Sequence, residues 1–304
     1  MKLIDIKDCS QPDPYILEAN GKWYIYATGN RSVQVYCATE PFGEWERLED
    51  ATVMDGKSRF WAPSVIELDG KFYMYVSCMN DGEEDTHLQT MHVFESDKPE
   101  GPFINGKKLI EPFSIDSHVV KTEAGLFMLY SVNDYEAERA GTYIVVDKML
   151  DPYTMEGKPV SLIRPTLDEE IFQRDRFKKG QHWHTLEGAF YFREGNRHFI
   201  TYSGNCYQSE FYYVGYAYAE TEESDLTKIK FTKYPDENTY NPLLKKNDEE
   251  EGTGHNSILD YKGEKYIIYH GRDWGKKEEG DEDLRTARAK KLKIDGVKII
   301  AEKI

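Results

Sequence analysis

A short alternating segment that ends in Tyr, then a small or polar residue, recurs five times along the chain, and this repeat constrains the fold most. The copies are Trp23-Tyr24-Ile25-Tyr26-Ala27, Phe72-Tyr73-Met74-Tyr75-Val76, Phe127-Met128-Leu129-Tyr130-Ser131, Phe199-Ile200-Thr201-Tyr202-Ser203 and Tyr266-Ile267-Ile268-Tyr269-His270. Four of them follow a Gly-containing turn, as in Asn20-Gly21-Lys22 and Asp69-Gly70-Lys71, and the other has Ala124-Gly125 in its place. A Gly turn before an alternating run marks the second strand of a hairpin. The terminal Tyr residues are separated by 49, 55, 72 and 67 positions. Repeats of roughly 40–50 residues with several strands each are the sequence form of propeller blades. The longer intervals leave room for loops, and the charged runs 245–251 and 276–283 read as solvated loop tips. Sustained i, i+3, i+4, i+7 apolar stripes are missing, which argues against helices. The expectation is an all-β fold, a five-bladed β-propeller forming a single domain over residues 1–304. A β-sandwich also repeats hairpins, but it does not require a matching element upstream of each one.

The upstream elements here do match. Counting back from each repeat Tyr, Asp13 lies 13 positions before Tyr26, Trp61 lies 14 before Tyr75 and Asp116 lies 14 before Tyr130. Glu187 lies 15 before Tyr202, and His255 lies 14 before Tyr269. Taken singly, each has a bland explanation; Asp before Pro, for instance, is common in turns. Together they place a chemically capable side chain at one phase of all five repeats. If that phase begins the innermost strand, all five converge on one mouth of a central channel. Repeats one and four are two steps apart in a five-membered ring, so Asp13 and Glu187 face each other. An inverting glycosidase needs such a gap, roughly 6.5–9.5 Å between carboxyls, for sugar and attacking water. Asp116, from the adjacent repeat, flanks Glu187, and a neighbouring carboxylate raises the pKa of a would-be general acid.

Composition agrees with this chemistry. Aromatic residues reach 13%, with 22 Tyr and 14 Phe, and they suit half-buried strands as well as the C–H faces of sugar rings. The formal net charge of −16 repels phosphate backbones and anionic lipid headgroups, so nucleic acid and membranes are excluded as partners and a neutral oligosaccharide is expected. Cys9, Cys37, Cys78 and Cys206 form no C-x-x-C pair and read as reduced thiols. The N-terminus lacks the apolar stretch of a secretory signal, and no run approaches the ~18 apolar residues of a membrane span. The expected location is cytoplasmic. Nothing in the sequence specifies an oligomeric state.

At these residues the chain resembles glycoside hydrolase family 43. Asp13 in Asp-Pro-Tyr-Ile, Asp116 in Ile-Asp-Ser-His-Val and Glu187 in Glu-Gly-Ala-Phe match that family's motifs in order and spacing. Phe60-Trp61-Ala62-Pro63 resembles its second-blade motif and Gly254-His255-Asn256-Ser257 its fifth. Ser117 replaces the family's usual Pro. The resemblance extends from Asp13 to the segment around Arg288 and implies a five-bladed propeller in which Asp13 is the general base, Glu187 the general acid and Asp116 the group that tunes it. It also implies a channel ion or water cluster at His255, often calcium, although calcium prefers oxygen ligands and a lone histidine makes a poor site for it. Phe60 and Trp61 are candidate sugar platforms, against blade-to-blade packing. Arg288 resembles a substrate-binding arginine of the fifth blade, with Arg285 as the competing assignment. His182-Trp183-His184 invites a zinc reading, but without a third ligand it reads better as a loop lining the pocket.

The resemblance implies an inverting exo-glycosidase. A cytoplasmic enzyme would act on imported oligosaccharides rather than on polymer, and many β-xylosidase relatives carry a further C-terminal module. α-L-Arabinofuranosidase on arabino-oligosaccharides is therefore expected, with β-xylosidase on xylo-oligosaccharides as the alternative. More distant alternatives are a non-catalytic sugar-binding propeller, which needs no paired carboxylates, and a glycoside phosphorylase. The latter would need a phosphate cluster, for which Arg272, Arg285 and His270 are the candidates. No cofactor is required for the chemistry.

Overall fold

In the computed structural model, residues 1–6, 9–52, 54–276 and 283–304 are described. Their regular structure is almost entirely β, interrupted by two single-turn 3-10 helices, Thr86–Leu88 and Asp168–Glu170. All five copies of the repeat become second strands of antiparallel hairpins. Tyr26 pairs with Tyr15, Tyr75 with Ser64, Phe127 with Val120, Thr201 with Phe190 and Tyr269 with Asn256.

Three four-stranded sheets start at Tyr15–Ala19, Lys57–Leu68 and Glu250–Tyr261. A ten-stranded sheet contains the other two repeats, starting at Ile115–Thr122 and Trp183–Glu194. Its halves are joined by a short parallel contact, Gly141 with His184 and Thr142 with Thr185. Each leading strand packs against the leading strand of the next repeat, and Glu250–Tyr261 packs back against Tyr15–Ala19. The N-terminal residues reinforce this last contact, because Leu3 N–H donates to Ala287 O and Ala289 N–H to Met1 O.

The apolar core follows the same order. One cluster joins the first and second repeats through Tyr24, Val35, Val65 and Phe72, and another joins the second and third through Tyr75, Val93, Val119 and Met128. Further clusters join the third to the fourth, the fourth to the fifth and the fifth to the first. Alternation along each strand supplies apolar residues to both faces of each sheet, so every sheet is covered by its two neighbours.

The charged run 245–251 departs from the expected loop tip. Glu250 and Glu251 are buried at the start of a leading strand, and Glu250 is ion-paired to Lys290 at 2.7 Å and to Arg288 at 3.4 Å. The run 276–283 lies mostly outside the described residues.

Candidate active site

The shared phase of the repeats is a backbone feature. Asp13, Ala62, Asp116, Gly188 and His255 have φ of 57°, 46°, 59°, 61° and 43°. Four of the five are not glycine, and a left-handed conformation costs such residues roughly 1–2 kcal/mol each. The strand registers slip at this point in repeats two to five. Such a bulge bends the strand and re-aims a side chain. The turn places Asp13, Asp116 and His255 themselves in the pocket, but in repeats two and four the pocket residue is the one before it, Trp61 or Glu187. Gly188 has a second constraint: a Cβ there would meet the His255 ring at 3.1 Å.

These residues line one cavity of about 630 Å³. Asp13 is heavily braced. Its Oδ2 accepts from Thr28 Oγ1 at 2.5 Å, and its backbone N–H donates to His270 Nδ1 at 3.0 Å. Its Oδ1 lies 3.4 Å from His255 Nδ1 and 3.5 Å from Arg285 Nη1. Burial alone would raise the Asp13 pKa, but His255, Arg285 and His270 outweigh it and hold the carboxyl far below the usual range. Burial also lowers both histidines, His270 to about 4. Near neutral pH the permanent positive charge facing Asp13 is therefore Arg285.

Glu187 has a different setting. Tyr212 donates to its Oε1 at 2.7 Å. Burial raises its pKa, the Tyr212 hydrogen bond opposes this, Asp13 adds to it, and the result is about 7. Asp116 is also raised, first by burial and then by facing Glu187 and Asp13. It accepts from Gly188 N–H at 3.2 Å, which ties it to the turn after Glu187. Burial is the leading cause at both Glu187 and Asp116, and the two carboxyls face each other.

Trp61 and His255 line the cavity, but two other expected substrate contacts do not. Phe60 is fully buried and packs against Phe94 at 6.4 Å between ring centroids, within the core between the first two repeats. Adjacent strand residues face opposite ways, so Phe60 and Trp61 could not both reach the sugar. Arg288 is buried elsewhere, 3.4 Å from Glu250 and 2.8 Å from Asp273. Of the two arginines, Arg285 lines the cavity; its Nη2 also binds Asp283 at 2.6 Å and its guanidinium lies over Tyr207.

Of the residues weighed as a phosphate cluster, His270 and Arg285 both face Asp13 Oδ1, at 3.2 and 3.5 Å, and Arg272 binds the carbonyls of Tyr207, Gln208 and Ser209, so all three are engaged by protein groups. His182 faces Asp175 and His184 faces Ala140 and Arg139, while Trp183 between them lines the cavity. Among the described residues no three His, Cys, Asp or Glu side chains are grouped to hold a metal ion. Around His255 Nδ1 stand the carboxylates of Asp13 at 3.4 Å and Asp116 at 3.9 Å.

Tyr212 is absent from the sequence reading, and His270 enters it only as a candidate phosphate ligand, not as a partner of Asp13. His270 follows the repeat Tyr where the other copies carry Ala27, Val76, Ser131 and Ser203, and that departure was the available signal. Tyr212 stacks on His270 at 5.7 Å, and a Cβ on Gly254 would meet its ring at 1.8 Å. No local pattern announces it.

Two carboxylates held in opposite protonation states across one pocket can perform acid–base hydrolysis. The family model "Glycosyl hydrolases family 43" matches residues 10–297. The extracellular exo-α-(1→5)-L-arabinofuranosidase of Streptomyces avermitilis is 25% identical over 228 residues, 71% of this chain and 44% of that protein. The chain thus spans less than half the length of that relative. A thermostable family-43 glycoside hydrolase of known structure is 28% identical, with a TM-score of 0.78 over 97% of this chain and 93% of that one. The α-L-arabinofuranosidase from Lactobacillus brevis, 20% identical, superposes with a TM-score of 0.77 over 94% of this chain and 91% of that one, which shows likeness of fold.

Proposed function

Because the chain belongs to glycosyl hydrolases family 43, we propose that it is an inverting, exo-acting α-L-arabinofuranosidase for short arabino-oligosaccharides, built as a five-bladed β-propeller. The ring of five packed leading strands and the five clusters between successive repeats support the propeller reading. The arabinofuranosidase and exo readings rest on the name of the Streptomyces avermitilis relative.

The observation that carries the mechanism is the opposite direction in which the pocket drives two buried carboxyls. Asp13 stays ionised and acts as the general base that takes a proton from the attacking water. Glu187, with its pKa of about 7, delivers a proton to the leaving oxygen. Asp116 holds the turn after Glu187 through Gly188 N–H and offers its carboxyl to a sugar hydroxyl. Trp61 and His255 complete the wall against which the sugar rests.

Proton NMR during the first turnovers on α-linked arabino-oligosaccharides tests this. The first-formed arabinose should be the β anomer. Product with the substrate's own configuration would sink the base role of Asp13. Release of xylose alone from xylo-oligosaccharides would keep the mechanism and move the substrate to β-xylosides.

A further inference from the structure

Two other arginines line the cavity, Arg59 and Arg176. Unlike Arg285 and Arg288, neither forms an ion pair among the described residues. Arg176 is nevertheless held in place. Its Nη2 lies 3.1 Å from His87 Nε2, and His87 Nδ1 lies 2.7 Å from Asp85 Oδ1. One tautomer satisfies both contacts: Nδ1–H donates to Asp85, and Nε2 accepts from Arg176. The guanidinium also lies over Trp183 at 4.8 Å and Phe177 at 5.6 Å. Its plane is fixed, yet most of its five N–H donors have no protein acceptor.

Beside this arginine runs an aromatic surface. Trp183, itself buried, lies 5.0 Å from Tyr135 and 5.9 Å from Phe177 between centroids, and Tyr135 and Phe177 are 49% and 55% exposed. In a chain of net charge −16, two guanidinium groups that line one pocket with no carboxylate partner among the described residues select for an anion. Their planar fork matches a carboxylate, and the adjoining rings suit the C–H face of a sugar.

We propose that the pocket continues past the cleaved bond into a subsite for a uronic acid, with its carboxylate on Arg59 and Arg176 and its ring on the exposed Phe177. This rests on the glycosidase reading above and specifies its substrate. Ionised Asp13 disfavours a second negative charge at the cleavage point, so the acidic group belongs to the leaving-group sugar rather than to the sugar released.

The test compares two disaccharides, arabinofuranosyl-galactose and arabinofuranosyl-galacturonic acid of the same linkage. The uronate should be cleaved with about tenfold higher kcat/KM at low ionic strength, and the advantage should shrink in about 0.5 M NaCl. Arg176→Gln and Arg59→Gln should each bring the ratio of the two substrates close to one. Equal cleavage by the unsubstituted enzyme would overturn the subsite and leave the arabinofuranosidase reading standing. If neither disaccharide is cleaved, turnover of arabino-oligosaccharides decides that reading, and binding decides the subsite by itself. NMR titration should then give methyl galacturonoside a Kd about tenfold below that of methyl galactoside, with the difference lost in Arg176→Gln. Equal affinities would again overturn it.

Discussion

Compare the wall of the pocket around Asp13 with the wall around Glu187. Both carboxyls are enclosed, and burial acts on both in the same upward direction. Around Asp13 stand a guanidinium, two imidazoles and the Thr28 hydroxyl, and the proton is driven off. Around Glu187 stand one phenol donor and two other carboxyls, and the proton is held to about pH 7. Burial pushes both carboxyls up, and only at Asp13 do the neighbours reverse the sign.

The largest expected effect comes from removing either carboxylate. Asp13→Asn should lower kcat by about 10³–10⁴ for every substrate, because each turnover needs the activated water. Glu187→Gln should lose about 10³ on sugar leaving groups and less than about tenfold on nitrophenyl glycosides, which depart without a proton. A series of leaving groups measured on both variants separates the walls. Uniform losses for Glu187→Gln would remove it from the acid role.

Altering the neighbours should move protons rather than abolish turnover. In the unsubstituted enzyme kcat/KM should fall as pH rises through about 7, where Glu187 loses its proton. Tyr212→Phe removes the donor that favours the carboxylate, so this alkaline limb should move up by about one pH unit. Arg285→Met should move it in the same direction, since the cation also favours ionised Glu187. An alkaline limb that stays in place in both variants would assign it to another group.

The smallest effect is on stability, and its sign differs between the walls. Glu187 binds its proton more tightly folded than unfolded, so stability falls as pH rises from about 4.5 to about 7. Glu187→Gln should therefore raise Tm at pH 8 by about 2–4 °C. Asp13 is the reverse case: its stabilisation is present above its unfolded pKa and is lost as pH falls below it. Asp13→Asn should lower Tm at pH 8. Thermal melts of both variants at pH 4 and pH 8 check this, and a shift of the same sign at pH 8 would break the comparison.

Much of this site was legible along the chain. The five hairpins, the order of Asp13, Asp116 and Glu187, and the placement of Trp61 and His255 in one pocket all followed from period-two alternation and turn residues. The misreadings cluster where one residue decides a face. Phe60 and Trp61 are adjacent, and Arg285 and Arg288 are three apart, so in extended chain each pair faces opposite ways. Sequence spacing implies that only one of each pair enters the pocket; at Phe60 and Trp61 the bulge beside left-handed Ala62 decides which one, whereas Arg285 precedes a strand of unbroken register.

What the sequence by itself determined was local: an all-β chain, its five repeats, and the kinds of groups available at one phase of each. Those features depend on alternation and turn chemistry within a few residues. Only the tertiary structure decided which carboxyl keeps its proton. Asp13 meets His270 across 257 positions of chain, and Glu187 meets Tyr212 across 25. Such contacts exist only once packed sheets bring distant segments together and exclude water, which gives a neighbouring charge or hydrogen bond the strength to set a pKa.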